Sequence, residues 1–179
     1  KIEDTMRNII LIGFMGCGKS TVGIRLSYRI RRVLEDTDKR IEREQGKTIS
    51  EIFAVEGEGY FRDLETKLLE KLLTENYQRV ISTGGGLPVR EQNRKLLREL
   101  GTVVYLRIQP ETVYQRLKND TTRPLLQCEN PLEKIKELME QRAPLYEEAA
   151  HIIIDVDDKD MEQVLESITD ELGDIGETK

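Results

Sequence analysis

Cysteine and histidine are scarce in this sequence, and their scarcity excludes several kinds of site. Among 179 residues there are two cysteines, Cys17 and Cys128, and one histidine, His151. Two cysteines so far apart are too few for a disulfide framework or a zinc site. Cys17 stands beside a predicted helix N-terminus, which can activate a thiol, but a tight loop that favours a small residue explains it better. We assign His151 to the edge of a strand.

Long apolar runs and an excess of basic charge are also missing. No run reaches the ~18 consecutive apolar residues of a membrane-spanning helix, and no signal-peptide pattern opens the sequence. The formal net charge of -6, from 28 basic and 34 acidic residues, gives nucleic acid no general attraction. We therefore expect a cytoplasmic protein that acts as a monomer, with no nucleic-acid partner and no membrane partner.

The length and the alternation of patterns predict one α/β domain. A chain of this size is typical of a single domain, which we place at residues 6–172, with flexible ends at 1–5 and 173–179. Short apolar runs alternate with stretches of helical periodicity, which predicts βα units and a mainly parallel sheet. The predicted strands are 9–12, 33–35, 79–83, 103–108 and 152–154.

Two local patterns mark helix boundaries. Thr48 and Glu51 have the spacing of a capping box, which predicts a helix start there. Asn130 and Pro131 read as a cap followed by a first-turn proline, which opens another helix. Because an internal proline removes a backbone hydrogen bond, we expect that second helix to bend or break at Pro144.

The stretch GFMGCGKST, Gly13 to Thr21, follows an apolar strand and precedes an amphipathic helix. Its glycine, lysine and serine spacing is that of a Walker A loop, whose backbone N–H groups cradle phosphates at a helix N-terminus. Lys19 would reach the β- and γ-phosphates as a catalytic residue, and Ser20 would bind Mg²⁺. The predicted ATP-binding residues of this loop are Gly16, Cys17, Gly18, Lys19, Ser20 and Thr21.

The rest of the sequence favours a kinase of small metabolites over other P-loop classes. The Asn-Lys-x-Asp element by which GTPases read guanine is missing. Three further clusters carry polar or flexible residues: EDTD with Asp36 and Asp38, GYFRDLE with Arg62, and STGGG with Gly84–Gly86. The first and third follow predicted strands and so stand at the carboxyl edge of the sheet, where ligands bind. Successive glycines also let the backbone approach a small polar ligand closely.

Together with the phosphate loop, these clusters resemble shikimate kinase. The resemblance rests on GFMGCGKSTVG, DTDKRIE, ISEIFAVEGEGYFRDLE, STGGG, RPLL and RAPLY, in that order, between Ile9 and about Asp157. It implies a three-layer P-loop kinase fold, nucleoside-monophosphate-kinase-like, with a five-stranded parallel sheet of order 2-3-1-4-5. It also implies that ATP, with Mg²⁺, phosphorylates the 3-hydroxyl of shikimate in aromatic amino-acid biosynthesis.

The resemblance assigns the acceptor to single residues. Asp38 would hold the ring hydroxyls of shikimate, and Arg62 and Arg142 would hold its carboxylate. Guanidinium forks and a hydroxyl acceptor are what such a substrate needs. Asp38 would also act in catalysis, as a general base or by positioning the attacking hydroxyl. The predicted substrate-binding residues are Asp38, Arg62, Gly84, Gly85, Gly86 and Arg142, the glycines through backbone donors.

The nucleotide side has further candidates. Asp36 would orient waters on Mg²⁺, and with Ser20 it completes the predicted metal-binding residues. Arg116 would face the adenine. Arg123 would bind ATP and act in catalysis from a mobile lid at about 119–130, and such a lid excludes water from the reacting phosphate.

Other interpretations stay open for several of these residues. Arg62 could pair with Glu65 one helical turn on. Asp36 could be a strand-end cap, and Arg116 and Arg142 could be solvated helix arginines. For the whole chain, a gluconate-type sugar-acid kinase shares the phosphate loop. A nucleotide-binding module without transfer activity is the alternative from another class.

This sequence also departs from the family at two positions. Arg31 stands where a glycine commonly closes the first helix, which leaves the end of that helix open. Glu35 stands where an apolar residue commonly precedes the Asp-x-Asp pair, which leaves the burial of the second strand open.

Overall fold

The computed structural model describes residues 7–123 and 126–176, with side chains to residue 173 in the last helix. The predicted flexible end at 1–5 and residues 177–179 of the predicted end at 173–179 lie outside the described residues. The described strands are β1 (Asn8–Ile12), β2 (Val33–Asp36), β3 (Arg79–Ser82), β4 (Gly101–Arg107) and β5 (Ile152–Asp155). The described α-helices are α1 (Lys19–Arg29), α2 (Thr37–Gln45), α3 (Ile49–Glu56), α4 (Glu58–Thr74), α5 (Glu91–Leu100), α6 (Pro110–Leu117), α7 (Pro131–Ala149) and α8 (Met161–Gly176). A 3₁₀ turn covers Leu87–Val89.

The five strands form one parallel sheet of order β2-β3-β1-β4-β5, which confirms the predicted order. The central strand is buried on both sides, because Ile10, Leu11 and Ile12 have no exposed surface. Strands that are covered on both faces have continuous apolar sequences, and for this reason the sequence predicts β1 and β4. None of the helices in the described ranges is long and apolar enough to cross a membrane.

Helices cover both faces of the sheet. Helix α1 packs on β2 and β3 and against α8, whereas α5 packs against α4 and α7. Helix α3 begins with the predicted capping box, in which Thr48 Oγ1 accepts from Glu51 N at 3.1 Å and Glu51 Oε2 accepts from Thr48 N at 3.3 Å. Helix α8 continues to Gly176, four residues beyond the predicted end of the domain at 172.

The predicted break at Pro144 does not occur, because α7 continues from Pro131 to Ala149. A proline inside a helix removes one backbone hydrogen bond. The buried side chains of Met139 and Tyr146 lie on either side of Pro144 and anchor both halves of the helix in the core. Tertiary burial therefore outweighs the local penalty of the proline.

The charge at Glu35 is neutralised by an arginine, so β2 stays half-buried without an apolar residue there. Glu35 Oε1 accepts from Arg40 Nη1 at 2.6 Å, and Arg40 Nη2 donates to Glu75 Oε1 at 2.9 Å. Glu75 also accepts from Arg79 Nη1 at 2.5 Å. Accepting from these two guanidinium groups lowers the pKa of Glu75 to about 2. The cluster fastens β2 and α2 to the end of α4 and to β3.

The end of α1 has an unusual backbone conformation. Among the described residues, Arg31 is the one non-glycine residue with a positive φ, at 55°. Its N–H donates to Tyr28 O at 3.3 Å, and the following Arg32 N donates to Ser27 O at 2.9 Å. A left-handed residue that reverses the chain in this way is favourable for glycine and strained for residues with a Cβ.

Replacing this arginine with glycine should therefore stabilise the protein. We expect Arg31→Gly to raise the free energy of unfolding by about 0.5–1 kcal/mol, since the relieved strain exceeds the entropy that glycine adds to the unfolded chain. Arg31→Ala is the control, because alanine keeps the Cβ and hence the strain. Thermal unfolding of both variants tests this, and a glycine variant no more stable than the alanine variant would contradict it.

Candidate active site

The phosphate loop joins β1 to α1 and lies against β4. A Cβ on Gly13 would come within 2.8 Å of Leu106 O, so the close approach of the two backbones requires glycine there. Helix α1 begins at Lys19, and the N–H groups of its first turn have no acceptor within the helix. Lys19 Nζ donates to Gly13 O at 2.5 Å and to Phe14 O at 3.2 Å. Cys17 is buried, and its Sγ lies 3.6 Å from Lys19 Nζ, so its side chain packs inside the loop.

One cleft of about 290 Å³ brings most of the predicted site residues together. Its lining residues come from the phosphate loop and α1, from the start of α2, from the end of β3 with the glycines after it, and from the segment after α6. They are Met15, Gly16, Gly18, Lys19, Ser20, Thr21, Asp36, Asp38, Ser82, Thr83, Gly84, Gly85 and Arg123. The sheet explains this meeting, since the carboxyl ends of β1, β2 and β3 share one edge.

The two aspartates of EDTD occupy different environments. Asp36 is the N-cap of α2, where its Oδ1 accepts from Lys39 N at 3.1 Å, so the capping interpretation is confirmed. Asp38 has a buried Oδ1 with no hydrogen-bond partner among the described residues. Burial, and next the charge of Asp36, raise the pKa of Asp38 to about 6, against the opposing effect of Lys19. The chain thus places an unsatisfied carboxylate oxygen in the cleft.

The glycine turn, Gly84–Gly86, packs directly against these functional side chains. A Cβ on Gly84 would come within 2.7 Å of Asp38 Oδ1. Gly84 N donates to Thr37 Oγ1 at 3.1 Å, and Gly85 O accepts from the Tyr146 hydroxyl at 2.6 Å. The expectation that all three glycines lend donors to a ligand therefore needs correction. The buried Thr37 hydroxyl already accepts from the Gly84 N–H, and donation by Gly85 and Gly86 stays a prediction.

Arg62 lies against the other end of the glycine turn. A Cβ on Gly86 would overlap its guanidinium group. Arg62 Nη1 donates to Glu65 Oε1 at 2.6 Å, and Nη2 donates to Glu58 Oε1 at 3.3 Å. The ion pair between Arg62 and Glu65 that the alternative interpretation predicts is thus present. The same contact also fixes the guanidinium beside the cleft.

Sequence reasoning missed the importance of Glu65. Its side chain has no exposed surface, and its Oε2 has no hydrogen-bond partner among the described residues. Burial raises the pKa of Glu65 to about 7, although Arg62 opposes the shift. The signal was present, because Glu65 falls within the apolar face that Phe61 and Leu68 define on α4. A carboxylate on such a face needs a buried cation as partner.

Arg142 approaches the glycine turn from α7. Its Nη1 lies 3.8 Å from the position that a Cβ on Gly85 would take, and its guanidinium lies 6.0 Å from the centre of the Phe14 ring. The interpretation of Arg142 as a solvated helix arginine therefore does not fit its surroundings. Arg62 and Arg142, which are eighty residues apart in sequence, both lie beside this one turn.

The two remaining arginines lie near the phosphate loop. Arg116 Nη1 donates to Gly16 O at 2.9 Å, so it contacts the loop from α6. Arg123 lines the cleft, and its Nε lies 3.7 Å from Asp120 Oδ2. Asp120 also accepts from Thr122 N at 2.8 Å, which shapes the start of the predicted lid. Residues 124–125 of that lid lie outside the described residues, and its mobility stays a prediction.

The donor set suits a magnesium ion that arrives with a nucleotide. The described residues contain no group of three or more histidine, cysteine, aspartate or glutamate side chains that could hold a metal alone. Ser20 and Asp36 line the same cleft and supply one hydroxyl and one carboxylate. Mg²⁺ commonly takes one or two protein ligands of this kind and fills its shell with water and phosphate oxygens.

Comparisons with known proteins agree with this geometry. The family model described as shikimate kinase matches residues 15–173. Shikimate kinase of Thermodesulfovibrio yellowstonii is 45% identical over 166 residues, which cover 93% of this chain and 95% of the relative. Shikimate kinase of Bacillus anthracis is 42% identical over 167 residues, covering 93% and 99%.

Solved structures give the same result. Shikimate kinase from Acinetobacter baumannii in complex with shikimate superposes with a TM-score of 0.88 at 40% identity, over 99% of this chain and 98% of that chain. A gluconokinase from Sinorhizobium meliloti superposes with a TM-score of 0.61 over 97% and 95% of the two chains. Because its identity is 15%, that likeness shows the fold alone.

Proposed function

The chain belongs to the shikimate kinase family and phosphorylates shikimate with ATP in aromatic amino-acid biosynthesis, and we propose that transfer takes place in the cleft between the phosphate loop and the glycine turn. One observation carries this proposal. The ammonium group of Lys19, from the phosphate loop, and the unsatisfied buried carboxylate of Asp38 face the same cleft. A phosphate donor and a hydroxyl acceptor can meet between them, which brings about the proximity that phosphoryl transfer needs.

The phosphate loop would bind the nucleotide. The N–H groups at the start of α1 provide donors for the β-phosphate, and the helix dipole favours the negative charge. The loop carbonyls that hold Lys19 Nζ keep its ammonium group beside the place of the β- and γ-phosphates. Arg123, on the same cleft, would stabilise the charge of the migrating phosphoryl group. Arg116, which donates to the Gly16 carbonyl of the loop, would face the adenine.

Magnesium would enter with ATP. Ser20 would ligate the ion directly, and Asp36 would bind it through water while its other oxygen caps α2. The ion would supply charge neutralisation between the phosphate oxygens. This assignment uses only residues that already line the cleft.

Asp38 would receive the attacking hydroxyl. Its unpartnered Oδ1 is an acceptor without a donor, and a substrate hydroxyl would supply that donor. With a pKa of about 6, the carboxyl is largely ionised at neutral pH and can accept a proton late in the transfer. Because the transition state of phosphoryl transfer is loose, orienting the hydroxyl contributes more than removing its proton early.

Arg62 and Arg142 would hold the carboxylate of shikimate. Both guanidinium groups lie beside the glycine turn, and the backbone N–H groups of Gly85 and Gly86 would add donors. A carboxylate bound by two guanidinium forks fixes the ring so that one hydroxyl meets Asp38. A ligand without a carboxylate would form no ion pair with Arg62 or Arg142, and this separates shikimate from hydroxylated metabolites that lack a carboxylate.

An acceptor screen with MgATP tests the substrate and the carboxylate site together. Coupled ADP release should be fast with shikimate and slow with quinate, gluconate and nucleoside monophosphates.

We expect Arg142→Ala to raise the KM for shikimate by roughly 10- to 150-fold, as the loss of a charge-assisted hydrogen bond of about 1.5–3 kcal/mol implies. The KM for ATP should stay within about twofold. Exposed Arg43→Ala is the control. Turnover of gluconate but not shikimate would overturn the substrate, and equal effects on both ligands would overturn the role of Arg142.

A single methyl group tests the position of Arg62. Gly86 has φ of -91°, which alanine adopts without strain. In Gly86→Ala the new methyl group displaces the Arg62 guanidinium, and we expect the KM for shikimate to rise roughly tenfold or more. Gly59→Ala on α4 is the matched control, because nothing lies within 4 Å of its added methyl group. Unchanged shikimate kinetics in a folded Gly86→Ala variant would contradict the proposed role.

A further inference from the structure

The glycine turn is held from two sides by buried hydroxyl groups. On one side, Thr37 Oγ1 accepts from Gly84 N at 3.1 Å. On the other side, the Tyr146 hydroxyl donates to Gly85 O at 2.6 Å. Thr37 has no exposed surface and Tyr146 has 1%. The buried side chains therefore shield these two contacts from water on one side.

A turn of three glycines needs such anchors. Gly84–Gly86 has no side chains with which to pack, and glycine has the widest choice of backbone conformations. Within the turn itself, Leu87 N donates to Gly84 O at 3.2 Å and Val89 N donates to Gly86 O at 3.1 Å. These bonds shape the turn but do not locate it relative to the rest of the site. Location comes from the groups outside it.

Each of the two hydroxyl-bearing residues lies on a helix that also carries a residue of the proposed acceptor site. Thr37 directly precedes Asp38 at the start of α2. Tyr146 follows Arg142 by four residues on α7, which places both on one face, and the Arg142 guanidinium lies beside the Tyr146 hydroxyl. The ring of Tyr146 is in turn fixed against Tyr105, with ring centres 5.1 Å apart. The two hydroxyl groups thus tie the turn directly to the helices that carry Asp38 and Arg142.

We propose that Thr37 and Tyr146 are positioning residues for shikimate, which hold the glycine turn in register with Asp38 on one side and Arg142 on the other. This inference rests on the acceptor site proposed above. Neither residue touches the reacting atoms. Both act through the backbone of the turn, so losing either hydroxyl should loosen the acceptor half of the cleft and leave the phosphate loop intact.

Isosteric variants test the proposal. Thr37→Val and Tyr146→Phe each remove one hydrogen bond while keeping shape, and we expect each to raise the KM for shikimate about three- to tenfold. The KM for ATP should stay within about twofold. The controls are Thr102→Val and Tyr105→Phe, which remove hydroxyl groups from other buried side chains on β4, and phenylalanine at 105 keeps the ring that packs against Tyr146. Thr37→Ser should restore the normal KM for shikimate, because serine keeps the acceptor.

The double variant gives a second readout. Since both bonds fix the same turn, Thr37→Val with Tyr146→Phe should raise the KM by less than the product of the single effects. Circular dichroism and thermal unfolding confirm that each variant is folded, and if Thr37→Val fails to fold, Tyr146→Phe still decides the matter.

Three results would overturn the proposal: unchanged KM for shikimate in Tyr146→Phe, equal changes in the KM values of both substrates, or controls that match the variants. Arg142→Ala separates this failure from failure of the acceptor site. If Arg142→Ala weakens shikimate while Tyr146→Phe does not, the positioning role is wrong and the site stands. If Arg142→Ala has no effect either, the site itself is wrong.

Discussion

The site depends on a carboxylate that is buried without a full set of partners. Asp38 keeps an oxygen free of hydrogen bonds and lies close enough to Asp36 for the two charges to repel. Lys19 and Arg62 offset part of this repulsion, and Gly84 leaves the room in which the oxygen sits. A buried polar atom left unpaired destabilises a fold, so its presence in a cleft indicates a ligand that completes it.

The parallel sheet is what brings the parts of this site together. The phosphate loop follows β1, Asp36 ends β2 with Asp38 just beyond it, and the glycine turn follows β3. In the sheet, Leu11 pairs with Ser82 and Asp36 pairs with the same Ser82, so the three strands end at one level. Thr83 N then donates to Leu11 O at 3.2 Å, which fastens the start of the glycine turn to β1. Residues that are far apart in sequence thereby share one cleft, and α4 and α7 add an arginine from each side.

Features that depend on local pattern could be predicted from the sequence, and features that depend on tertiary burial could not. The five apolar runs, the Thr48 capping box and the glycine spacing of the phosphate loop all encode their structure within a few residues. Thr37 and Tyr146 look ordinary along the chain, and their importance comes from the neighbours that burial gives them. Pro144 failed as a helix breaker for the same reason. The roles predicted for Asp38, Arg62 and Arg142 came from the family resemblance, and the structure adds the surroundings from which those roles are proposed.

The most direct test of this account is the pH dependence of stability in Asp38→Asn. The raised pKa of Asp38 means that its ionised form destabilises the folded state, and that this penalty is present above about pH 6 and is lost as the pH falls toward 4. Urea unfolding should therefore show Asp38→Asn more stable than the parent by roughly 1–3 kcal/mol at pH 7.5 and about equal to it at pH 4, while phosphorylation of shikimate is lost. Asp63→Asn, at an exposed position on α4, should show no such gain. An Asp38→Asn variant that is no more stable than the parent at pH 7.5 would contradict the claim that the ionised Asp38 carboxylate destabilises the folded protein and is retained because it binds the substrate.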